Sequence, residues 1–120
     1  MFIFSQILFA IILALLFLHE MDAIRNAEWK MFIVIKDMSD TKAYKVFTLF
    51  HLPFYVILLM LILSVKYQIL AYYAVDLFLI VHAILHLVFE RHTKNGLKNF
   101  FSRSIIYSMG ILAIIHIIIK

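Results

Sequence analysis

Residues 46–65 run VFTLFHLPFYVILLMLILSV, with no Asp, Glu, Lys or Arg and a single ring nitrogen pair, that of His51. A helix needs about 20 apolar residues to cross a bilayer core. Helix is also the conformation that satisfies every backbone amide within one segment there. Residues 69–89, ILAYYAVDLFLIVHAILHLVF, repeat the pattern with one carboxylate, Asp76, and two histidines, His82 and His86. These two stretches decide the fold class: an all-α, integral membrane protein.

Two further apolar runs flank them, Phe2–Leu18 and Ile105–Ile119. The first reaches spanning length by taking in His19 and Glu20. The last does so by extending back past Ser104, and an interfacial or strongly tilted fourth helix is the alternative. The expectation is one membrane domain over residues 1–120, a bundle of four transmembrane helices at about 2–20, 46–65, 69–89 and 103–119. Hydrophobic residues make up 66% of the chain and mean hydropathy is +1.04, beyond any ordinary soluble domain. With no cysteine, disulfides, thiolate metal sites, iron–sulfur clusters and cysteine nucleophiles are excluded. The first run lacks a basic leader and a small-residue cleavage site, so it reads as a retained span.

The net charge of +4 is carried in short loops between apolar runs, which points to anionic lipid as the partner and not to nucleic acid. Arg25, Lys30, Lys36, Lys42 and Lys45 fall in the first connection and Arg91, Lys94, Lys98 and Arg103 in the third; the other side holds only Lys66 and Lys120. The positive-inside rule then gives a multi-pass inner-membrane protein with both termini outside and the large loops cytoplasmic. Ala23–Val34 mixes charge with Ile24, Trp29, Met31 and Phe32. It reads as helix one running on beyond the bilayer or as an amphipathic surface segment.

Counting depth at about 1.5 Å per residue brings His19, His51 and His86 to similar depth on three helices, with His82 one turn deeper. Ionisable groups inside a bilayer are functional candidates by default. His82, His86 and Glu90 share a helix face, as do His19 and Asp22. Imidazoles with a carboxylate suit zinc or iron. The expected ligands are His19, His51, His82 and His86, with Asp22 and Glu90 as further ligand or catalytic base. Glu20 and Glu28, beside the cluster, could orient its imidazoles or act as base, but taken singly they read as solvated or paired with Arg25 or Lys30. Asp76 and His116 form a separate pair at the opposite side, read as structural.

The string His19-Glu20-Met21-Asp22-Ala23-Ile24-Arg25-Asn26-Ala27-Glu28-Trp29, followed by His51 and then by His82-Ala83-Ile84-Leu85-His86, resembles a family of small uncharacterised bacterial membrane proteins. That family has a His-Glu-x-Asp-Ala-x-Arg-x-x-Glu-Trp signature after the first span and a His-x-x-x-His in the third. The resemblance covers most of the chain; it implies four membrane helices and brings no activity. Membrane proteins with a His-x-x-Glu-Glu motif are similar in outline, but Met21-Asp22-Ala23 departs from their pattern. Histidine-box desaturases fit less well, because this chain has six histidines and no His-x-x-His-His.

Two classes of function follow. One is a metal-dependent membrane enzyme acting on a lipid or other amphiphile at the inner leaflet. The other is a non-enzymatic membrane protein, a haem or ion carrier or an oligomer-forming effector, whose polar residues fix helix packing or line a pore. Haem fits less well than zinc or iron, because so few glycines leave little room for a flat slot. A second copy of the chain is a further candidate partner.

Overall fold

The computed structural model describes residues 2–120. Four long helices account for most of them: α1 (Phe2–Arg25), α2 (Asp40–Leu63), α3 (Gln68–Val88) and α4 (Phe100–Ile119). Each is long and apolar enough to cross a membrane. Short 3₁₀ turns at Glu28–Met31, Val65–Tyr67 and Phe89–Arg91 join them. Helix four is full length: Asn99 caps it, its side chain accepting from the Ser102 amide at 2.8 Å. The span expected from about residue 103 does continue back through Phe101 and Phe100, where the cap lets the helix start.

Helix α4 packs against both α1 and α3. The α3–α4 contact is close because residue 110 is glycine: a Cβ there would come within 2.7 Å of the Ala83 Cβ. The core between these three helices is Phe9, Ile12, Leu16, Val75, Leu79, Met109 and Ala113, joined by Leu58 of α2. Helix α2 is otherwise held loosely. Only Ala43, Phe47 and Leu58 of it are buried, while Leu49, Phe50, Leu52, Ile57 and Met60 are exposed. Such an apolar outer face is stable only against another apolar phase.

Helix α1 does run on past His19 to Arg25, and the chain then turns back. Ala27 makes the turn with φ 51° and ψ 52°, a left-handed conformation that costs an L-residue roughly 1–2 kcal/mol. This reversal folds Glu28 and Trp29 under the end of the bundle, where both are buried. Trp29 packs with Ala23, Ile35, Ala43 and Phe47 in a second core that ties the connection to α2.

Candidate metal centre

Helix α1 carries His19 near its last turn, and α3 carries His82 and His86 one turn apart, so all three reach the same end of the bundle. Their Nε2 atoms point at one another. His82 Nε2 lies 2.8 Å from His19 Nε2 and 3.1 Å from His86 Nε2. The three rings form a near-regular triangle, with centroids 4.8–4.9 Å apart. Glu28 closes the group: its Oε1 is 3.2 Å from His86 Nε2 and its Oε2 is 3.7 Å from His19 Nε2. One donor atom from each of the four residues lies within 4.8 Å of the others. His19, Glu28 and His86 are buried.

Hydrogen bonding alone does not serve this geometry. A ring nitrogen holds either one proton or one lone pair, so His82 Nε2 can pair with only one of the two nitrogens facing it. A cation accepts all the lone pairs together. Zinc takes imidazole nitrogen at about 2.0–2.1 Å, which places two nitrogens of a tetrahedral set roughly 3.3 Å apart. The two spacings at His82 are a few tenths of an ångström tighter, and the whole donor set lies within 4.8 Å. The outer sides of the rings are less provided for: Nδ1 of His19 and of His86 are buried with no hydrogen-bond partner.

Glu28 is held ionised. Burial by itself would raise its pKa, but the hydrogen bond from His86 and the electrostatic pull of His19, His86 and His82 outweigh that. Its carboxyl titrates below the ordinary value. The sequence favours Glu28 in solvent or paired with Arg25 or Lys30 over a part in the cluster. The signal that could have found it is its partner in sequence: Trp29 is too apolar for an exposed loop, and burying it carries Glu28 inward.

The other expected site residues go elsewhere. His51 does not join the triangle. Its Nδ1 donates to the Phe47 carbonyl at 2.7 Å and its Nε2 pairs with Glu20 Oε2 at 2.8 Å. Asp22 accepts from Asn26 at 2.9 Å and from the Ser102 hydroxyl, tying the end of α1 to the start of α4. Glu90 pairs with Arg103 and accepts a long 3.4 Å bond from Tyr107. Both carboxylates are thus engaged in helix-to-helix contacts.

A cleft of about 150 Å³ leads to the centre. Glu28, His82 and His86 form its polar end, and Met31, Phe32, Leu85 and Phe89 its walls. Phe32 and Leu85 are 42% and 49% exposed, so the mouth is apolar and opens on the outer surface of the bundle.

A four-helix, all-α protein with three converging imidazoles and a buried carboxylate at one end is the class that fold and site define. The chain belongs to the family of unknown function DUF6713, whose model matches residues 5–120. No curated protein and no solved structure matches it.

Proposed function

We propose that the protein is a metal-dependent membrane enzyme whose ion is held by His19, His82, His86 and Glu28, and whose substrate is a lipid or other amphiphile. The observation that carries this reading is the meeting of three Nε2 atoms and one ionised carboxylate at a point that shared protons cannot satisfy. Three nitrogens and one oxygen suit zinc or iron(II). Such an ion supplies Lewis acidity to a substrate oxygen or a bound water. Haem is disfavoured because rings already in mutual contact leave no plane for a macrocycle between them.

The apolar mouth of the cleft supports an amphiphilic substrate, since its walls would receive a hydrocarbon chain while Glu28, His82 and His86 meet the polar part. The four helices lie in the bacterial inner membrane in this reading. The bias of Lys and Arg toward the first and third connections puts the centre at the cytoplasmic leaflet and both termini outside.

Metal analysis of protein purified in detergent without chelators tests the first part. About one equivalent of zinc or iron is expected, and His86→Ala should lose it while still inserting in the membrane. Wild-type protein holding less than about one-tenth of an equivalent of any transition metal would sink the reading, given the affinity four protein ligands confer. Orientation is checked by single cysteines, which the natural chain lacks. At Lys36 and Asn95 they should resist an impermeant thiol reagent in intact cells, whereas at Gln68 they should react.

A further inference from the structure

At the opposite end of the bundle, where α1 begins and α4 ends, side chains from three helices form a second polar network. His116 of α4 and Asp76 of α3 are fully buried, and Ser5 of α1 is 7% exposed. His116 Nδ1 lies 2.8 and 3.0 Å from the two Asp76 oxygens, and His116 Nε2 lies 2.9 Å from Ser5 Oγ. Lys120 Nζ sits 2.8 Å from Asp76 Oδ2.

Chemistry orients these bonds. An ionised carboxylate only accepts, so Nδ1 of His116 carries the proton. The neutral ring then offers a lone pair at Nε2, and the Ser5 hydroxyl donates to it. Lys120 supplies a counter-charge to Asp76. Phe9 and Tyr72 pack on the imidazole, with centroids at 5.4 and 5.5 Å, and hold its plane. A hydroxyl bonded to a base whose other nitrogen is held by a buried carboxylate is the arrangement that activates a serine nucleophile, recognised by geometry and not by fold.

We propose that Ser5 is an acyl-accepting nucleophile with His116 as its general base, Asp76 being the residue that positions the imidazole. The substrate class is an ester or thioester of an apolar acyl chain. The outer face of this end of α1, with Ile3, Phe4 and Ile7 70%, 61% and 54% exposed, is apolar, so a substrate reaching Ser5 approaches through hydrocarbon. In the reaction, Ser5 Oγ bonds to the acyl carbonyl carbon as its proton passes to His116 Nε2. The bond to the leaving alkoxide or thiolate breaks, and that group takes the proton from Nε2. Water then attacks the acyl-serine, giving a proton to Nε2; the serine oxygen leaves, recovers that proton, and the carboxylic acid is released. No electrons are exchanged.

The test treats the full chain in detergent micelles with an alkyl fluorophosphonate, read by intact mass and peptide mapping, alongside hydrolysis of a p-nitrophenyl acyl ester. A single adduct on Ser5 is expected, with no adduct in Ser5→Ala and ester turnover at least about a hundredfold slower in His116→Gln. Chelator should leave the labelling unchanged, which separates this site from the metal centre. Wild-type protein with full helical circular dichroism that stays unmodified, or carries the adduct elsewhere, would overturn the proposal. So would equal ester turnover by Ser5→Ala. Because mapping is done on the wild type, the result stands even where a variant fails to fold.

Discussion

The two ends of the bundle are built from the same residue types and solve opposite problems. At one end three imidazoles and Glu28 crowd their acceptor atoms together, and two ring nitrogens have no partner on their outer side. At the other, each hydrogen bond runs in one sense, from Ser5 to His116 to Asp76, with Lys120 supplying the counter-charge. In the proposed reading the first arrangement is completed by a cation; the second carries its own protons and charges. About ten residues of α3, or roughly 15 Å, separate Asp76 from His86. The lesson is that a histidine in an apolar helix has no fixed meaning: the ratio of donors to acceptors around it decides whether it calls for a cation.

The largest effect expected from this contrast is on metal retention. Glu28→Gln keeps the shape of the side chain but removes the charge, and should weaken metal binding at least about a hundredfold by equilibrium competition with a chelator. Asp76→Asn should leave metal content unchanged. Acidification sharpens the point. Metal should leave as acid protonates the imidazoles that hold it. Loss of metal in Asp76→Asn would show that the two ends are one system.

Next in size is the loss of stability at the second network. Asp76→Ala leaves the Lys120 ammonium and the His116 N–H without a partner, and should cost about 3–5 kcal/mol in detergent unfolding. A smaller effect is expected where the end of α1 is tied to the start of α4. Ser102→Ala removes a donor from buried Asp22 and should cost about 1–3 kcal/mol while metal is retained. Smallest is Ala27→Gly. Relief of the left-handed strain, less the added chain entropy of glycine, should stabilise the fold by about 0.5 kcal/mol. A destabilised Ala27→Gly would mean that the Ala27 methyl group, packed beside Trp29, matters more than its backbone.

Much of this was legible in the residue string. Apolar length alone marks the four helices, since a bundle of such segments buries backbone polarity whatever the side chains do. Depth along those helices brings His19, His82 and His86 to one end and Asp76 and His116 to the other. Depth does not give rotation. His51 has the right depth, yet α2 turns it to Glu20 and to its own Phe47 carbonyl. Asp22 and Glu90 share faces with the histidines on their helices, but Ser102 and Arg103 of α4 claim them across the bundle.

Hydrophobic length and rise per residue are local properties, so the residue string carries the class of element, the order of the helices and the end at which each histidine arrives. Partnership belongs to the packed fold. Glu28 reaches the triangle through a chain reversal at Ala27, which no local preference for alanine predicts. Ser5 meets His116 across 111 positions. Both contacts exist because packing of α1 against α4, and burial of Trp29, outweigh the local cost of bringing polar groups inside.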